Sequence, residues 1–222
     1  MTLTVSRRLG ITALVAVAVL AVVYPALRPY TDETTADGAR AFASAAWAGA
    51  HSAAMVAFVL LPVGILGAAA HLPLGRGRTA ATVLAWLGGA FVLPYYGAET
   101  FGLGAIGARA AADGDTGLLG LAEDVRMGGV ALSFFGPGLL LLAASGVALA
   151  VASWRTPARL GGLLAGVALA LYLPQYYVSP ALRITHGVVL AAGCTLLAVA
   201  LARRATASPA PASTSARSTR RP

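Results

Sequence analysis

The sequence predicts an all-α, polytopic membrane protein with six transmembrane helices, and three observations carry that prediction. Hydrophobic residues make up 58% of the chain and charged residues 11%, against roughly 25% charged in an ordinary soluble domain. The apolar residues gather into six runs, 9–28, 43–70, 79–103, 126–152, 160–178 and 182–202, and crossing a bilayer takes about 20 residues at 1.5 Å each. Most charged residues lie between or beyond those runs.

The first run comes after Arg7 and Arg8 as a signal peptide would. It stays apolar to Leu27, past the length of an h-region, and no small-x-small cleavage site comes after it, so it reads as a retained anchor helix. The second run carries His51 and Pro62, and the third carries Pro94 and Glu99. Pro137 interrupts the fourth, Pro174 falls in the fifth, and Arg183 and His186 open the sixth. Each internal proline removes a donor and bends its helix. Gly162 and Gly166 form a GxxxG pair, with Gly88-Gly89 and Gly128-Gly129 as further small surfaces, which lets helices approach closely.

The net charge of +8 raises the question of a nucleic-acid partner. Its distribution points to membrane orientation instead. With the N-terminus inside, the inner loops and tails hold eleven arginines: 7, 8, 76, 78, 155, 159, 203, 204, 217, 220 and 221. The outer side holds Arg28, Arg40, Arg109, Arg126 and Arg183, together with all eight acids. That asymmetry obeys the positive-inside rule, so both termini are expected in the cytoplasm of a cell whose plasma membrane holds the protein. All basic residues are arginine and alanine is abundant, a bias suited to a GC-rich bacterial genome. Membrane lipids are the expected partners, nucleic acid is not, and the basic tail suits anionic lipid.

Residues 1–204 form the expected membrane domain. The tail 205–222, built from Ala, Ser, Thr, Pro and Arg, is expected to be disordered. The outer stretches 29–42 and 104–125 read as loops, the second with a short interfacial helix near Leu118–Val125. An internal repeat is also visible. LAWLGGAFVLPYY (84–96) and LAGVALALYLPQY (164–176) match at six of thirteen positions, eighty residues apart. Two helix pairs, the second with the third and the fourth with the fifth, would form a parallel repeat of a kind found in transporters.

Chemistry concentrates in LPYYGAET (93–100) and LPQYYVSPALRITHG (173–187), with His51. An ionisable group within a membrane costs ~2.5–3.5 kcal/mol at mid-helix and by default marks a functional site. Glu99 is the sharpest such signal, and Arg183 at similar depth is its expected ion-pair partner. His51 shares a helix face with Trp47 and Met55, and His186 lies one turn beyond Arg183. Tyr95-Tyr96, Tyr176-Tyr177 and Trp47 suit an outer aromatic belt. One tyrosine of each pair could instead line a pocket with Gln175.

Three readings compete for His51, Glu99 and His186. They could hydrogen-bond helices together, as in a structural or interaction subunit. They could form an outward-opening proton-linked or small-molecule or ion-binding site, since imidazoles titrate near neutrality. They could ligate metal or haem, as a His-His-Glu zinc site or a bis-His haem. No His-x-x-x-His or Cys-x-x-Cys-His supports the last reading, and Cys194 stands alone, so no cofactor is expected. His71, next to Leu72-Pro73, reads as an interfacial loop residue. No phosphate-binding loop, hydrolytic triad or paired carboxylates point to an enzyme. A small-solute or proton-linked transporter, with Glu99 as charge carrier, is the expected function.

Overall fold

A computed structural model describes residues 5–206. The expected tail falls almost wholly outside them; its first two residues, 205 and 206, end the last helix.

Among the described residues nine α-helices form: α1 (Arg7–Leu27), α2 (Ala36–Phe42), α3 (Ala45–His71), α4 (Arg78–Gly97), α5 (Leu103–Asp113), α6 (Leu121–Met127), α7 (Gly129–Ser153), α8 (Arg159–Ala170) and α9 (Pro180–Thr206). There are no strands among those residues. Side-chain caps start the first three: Ser6 Oγ, Thr35 Oγ1 and Ser44 Oγ accept from backbone N–H groups of the first turn. Helix α4 starts instead at Gly77, whose φ of 99° lies in the left-handed region that a side chain would resist. That conformation turns the chain tightly from α3 into α4.

Five helices are long and apolar enough to cross a membrane: α1, α3, the column Arg78–Asp113, α7 and α9. The run 160–178 differs from expectation. Only Arg159–Ala170 is α-helical, and a turn then leads into the 3-10 segment Pro174–Tyr177. Two prolines explain the break. Pro174 has no N–H to offer the carbonyl of Ala170, four residues back, where α8 ends, and Pro180, six residues later, starts α9 with its fixed φ. The chain must reverse between them. Pro94, by contrast, lies within a column that continues onward, and the helix absorbs it.

The stretches expected to be loops are also partly helical. Residues 29–42 contain α2, and residues 104–125 contain most of α5, the 3-10 turn Thr116–Gly120 and the start of α6. The interfacial helix expected near 118–125 therefore falls on that turn and α6. Helix α5 forms because Leu103, Gly107 and Ala110 recur at helical spacing and bury against α2. A small second core results from Ala39, Phe42, Trp47, Leu103, Ala110, Leu119 and Ala122. It caps one end of the bundle.

The main core is a closed ring of columns. Helix α1 packs on α3, α3 on α4, α4 on α7, α7 on α8, α8 on α9, and α9 returns to α1. Neighbours run antiparallel: Gly10 meets Gly67 while Gly49 meets Leu27, and Gly88 meets Leu142 while Ser145 Oγ donates to the Ala81 carbonyl at 2.7 Å. Consequently α1 ends, α3 begins, α4 ends, α7 begins, α8 ends and α9 begins at the same capped face. The sequence elements that carry polar chemistry all arrive there.

The opposite face is held by smaller means. His71 closes α3, and its Nε2 donates to the Val5 carbonyl at 2.8 Å, so it ties two columns together rather than sitting in a loop. Ser153 Oγ is buried with no hydrogen-bond partner, against Gly162. Since an unsatisfied buried hydroxyl costs about 1–3 kcal/mol, Ser153→Ala is expected to leave thermal stability unchanged or raise it. A clear fall in melting temperature in detergent would mean that the hydroxyl is satisfied after all.

Candidate functional site

The column α4–α5 contains a π-turn, Ala98–Gly102, just past Pro94. Such a turn accommodates one extra residue and rotates the side chains beyond it by about 100°. Glu99 and Thr100 lie within the turn, and both are buried. Thr100 Oγ1 donates to the Tyr96 carbonyl at 2.7 Å, the bond to the carbonyl four residues back that a helical threonine can make.

The partner of Glu99 is Arg126, not Arg183. Arg126 Nε donates to Oε1 at 2.7 Å and a terminal nitrogen to Oε2 at 3.1 Å, a two-point clamp. Its other terminal nitrogen bonds Glu33, whose second oxygen accepts from Arg28 at 2.8 Å. Burial alone would make Arg126 easier to deprotonate. The hydrogen bonds and charge of Glu99, then of Glu33, outweigh that and raise its pKa. Arg28 lies over the Trp47 ring at 4.8 Å, and Trp47 Nε1 donates to the Glu99 backbone carbonyl at 2.7 Å. The ion pair is thus one link of an alternating series, Arg28, Glu33, Arg126, Glu99, that stitches α1, α3, α4 and the cap.

His51 joins this series. Its Nδ1 lies 2.9 Å from the Trp47 carbonyl and must donate to it, which leaves Nε2 as the basic nitrogen. That nitrogen faces Glu99 Oε2 at 3.7 Å. Depth along the apolar runs predicts the meeting of His51 with Glu99; it does not predict Arg126 beside them.

Arg183 and His186 have a different task. Arg183 donates to the carbonyls of Tyr176 and Val178, the former contact very short and the latter 3.1 Å through Nε. His186 Nε2 donates to the Ala168 carbonyl at 2.7 Å. These carbonyls belong to the broken end of α8, where intrahelical partners run out. The Pro174 break therefore explains why both side chains turn toward α8 instead of Glu99. His186 and Gln175 line a small separate cavity of about 30 Å³, which Arg183 also borders. For a zinc or haem site, His51 and Glu99 are adjacent while His186 is engaged elsewhere. No group of three His, Cys, Asp or Glu is placed to hold a metal among the described residues.

Two of the aromatic residues expected in a belt are core instead. Trp47 and Tyr96 are fully buried, while Tyr177 stays exposed. Tyr96 and Tyr176, the matching positions of the repeated motif, share a hydrogen bond between hydroxyls at 2.6 Å, with the Tyr172 hydroxyl 3.5 Å from Tyr96. Tyr95 stacks on Phe135 at 3.8 Å. Because the Tyr176 hydroxyl has this one short partner, Tyr176→Phe is expected to lower stability by about 1 kcal/mol, measured as a shift in melting temperature. An unchanged value would mean that the phenol pair contributes nothing to holding the 3-10 segment after α8 against α4.

Beside these groups lies a cavity of about 390 Å³. Arg28, His51, Glu99, Arg126 and Arg183 contribute its charged and titratable lining, and Tyr24, Tyr95, Tyr96, Tyr176 and Phe135 its aromatic walls. The size lies within the range of small-molecule sites. Comparison of the chain with protein-family models, with curated proteins and with solved structures finds no match in any of the three.

Proposed function

We propose that this is a small-solute membrane protein, a proton-linked transporter or ligand-binding protein, whose site is the 390 Å³ cavity at the capped face. The observation that carries this reading is the cavity itself, opening among His51, Glu99, Arg126 and the tyrosines. His51 Nε2 and Glu99 Oε2 stand close enough for a proton on either to change the charge that a bound solute meets. The surrounding helices cross a cell membrane with both termini cytoplasmic and the cavity facing out. In this reading α8 and its 3-10 extension complete a sixth crossing, and the α3–α4 and α7–α8 hairpins descend from one duplicated pair. The hydrogen bond between matched Tyr96 and Tyr176 supports that duplication.

The test is uptake into proteoliposomes under an acid-outside gradient, using labelled organic acids, amines and sugars. One class should accumulate, a protonophore should abolish the accumulation, and His51→Gln should remove its pH dependence while the protein stays folded. Uptake no greater than in empty liposomes for every class would end the transport reading.

A second reading has its own observation. The Arg28, Glu33, Arg126, Glu99 series satisfies its members by mutual pairing, as a purely structural or interaction subunit would require. That subunit would show neither uptake nor ligand-dependent stabilisation.

A further inference from the structure

Resting on the cavity reading, we infer that the solute is a small organic anion, a carboxylate on an aromatic or apolar body, with Arg183 as the cation that receives it. Three arginines line the cavity, Arg28, Arg126 and Arg183, and two carboxylates, Glu33 and Glu99, belong to the same cluster. Glu33 joins Arg28 to Arg126, and Glu99 completes Arg126. That leaves Arg183. Among the described residues no carboxylate lies within ion-pair distance of it.

Arg183 is nevertheless half-buried and held still. The Val178 carbonyl accepts from Nε and the Tyr176 carbonyl from one terminal nitrogen, and the Tyr30 ring lies 5.6 Å from the guanidinium carbon. Two backbone anchors fix the plane of the guanidinium. Its remaining nitrogen is left for an oxygen acceptor, and arginine is the side chain best suited to carboxylates. Its position in the first turn of α9 adds to the positive end of the helix dipole instead of offsetting it. A partly desolvated positive charge in this setting is stabilised by a bound anion.

The rest of the wall sets the body of the ligand. Tyr95 with Phe135, and Tyr96 with Tyr176, present ring faces and edges, while Leu132, Leu139 and Leu173 supply apolar surface. Such a lining suits a planar or aliphatic body and offers little to a sugar. Glu99 is the poorer candidate for holding a cationic solute, because its charge is already paired with Arg126 through both oxygens.

The experiment uses the full chain in lipid-free detergent and phosphate-free buffer, with thermal unfolding as readout. Four probes are compared: benzoate, benzyl alcohol, benzylamine and a short-chain phosphatidylglycerol. Benzoate should raise the melting temperature saturably while the neutral and cationic isosteres do not. Its apparent affinity should fall by about tenfold in Arg183→Gln, the loss expected for one charge-assisted contact. Arg183→Lys, which keeps the charge but loses the guanidinium plane held by the two backbone anchors, should fall between. Equal protection by benzyl alcohol or benzylamine overturns the anion assignment and leaves the cavity reading standing. Protection by phosphatidylglycerol but not benzoate overturns the free-acid assignment in favour of a lipid headgroup. Protection by none overturns the inference outright, while the uptake assay judges the cavity separately. If Arg183→Gln fails to fold, the four probes on the unaltered protein still decide.

Discussion

Replacing Arg126 with Gln is expected to cost about 3–5 kcal/mol of stability, the range for breaking a buried ion pair by removing one partner. The magnitude reflects the groups left behind. Glu99's side chain is 9% exposed and would lose both donors of the clamp, with only His51 at 3.7 Å nearby. Glu33 would keep Arg28 and suffer less. Glu99→Gln should also destabilise, because it leaves the guanidinium, 20% exposed, with Glu33 alone among the carboxylates. The double variant Glu99→Gln/Arg126→Gln removes both charges from the buried link, so it should recover a large part of the summed loss. Thermal or denaturant unfolding in detergent measures the coupling, which for contacting residues is typically about 0.5–3 kcal/mol. The parallel cycle of Glu99 with Arg183 should be additive within ~0.5 kcal/mol. Strong coupling to Arg183 and none to Arg126 would overturn the pairing of Glu99 with Arg126.

That contrast shows where the sequence is legible. Long apolar runs make helices recognisable whatever they pack against, so α1, α3, α4, α7 and α9 are all visible as runs. The depth of a polar residue along a run is equally readable: His51 and Glu99 share one and lie 3.7 Å apart, while Arg183 and His186 share it too and turn elsewhere. Partner choice depends on rotation about the helix axis, which depth does not contain. The π-turn at Ala98–Gly102 sets the rotation of Glu99, and no residue type there announces one extra residue in a turn. Arg126 stands at the very edge of an apolar run, where an arginine reads as a solvated flank, although Arg28, Arg126 and Arg183 all border such runs and form a visible set of candidates. The break at Pro174 likewise redirects Arg183 and His186, since the carbonyls it exposes need donors. Trp47 and Tyr96 mislead for a related reason. Aromatic residues near a run's end suit a lipid interface, but here the α2, α5 and α6 cap covers that end and makes it interior.

Gly166→Ala is the other large effect expected, and it tests the weakest column of the ring. Alanine is favoured over glycine in a helix by about 1 kcal/mol, so local propensity predicts a gain. Packing predicts the opposite. A Cβ at Gly166 would stand 2.5 Å from the Gly146 carbonyl oxygen and 2.9 Å from Ala150 Cβ. Those obstacles belong to the body of α7 and cannot swing aside as a flexible side chain would. The two helices must therefore separate, which costs about 1–3 kcal/mol as overpacking and also loosens the neighbouring contact of Gly162 with Ser153. Helix α8 has only twelve residues with which to absorb the shift and is held mainly between α7 and α9. The clash should outweigh propensity, giving a net loss of up to about 2 kcal/mol. Gly97→Ala is the matched control, because no atom lies within 4 Å of its Cβ position and its helical φ of −62° accepts a side chain. It should be neutral or gain up to ~1 kcal/mol. Two equal gains would mean that α7 and α8 do not approach through their glycines. A loss at Gly166 with none at Gly97 locates the constraint at the contact between α7 and α8, whose continuation carries Tyr176 into the cavity wall, and so ties the packing of this short helix to the shape of the cavity.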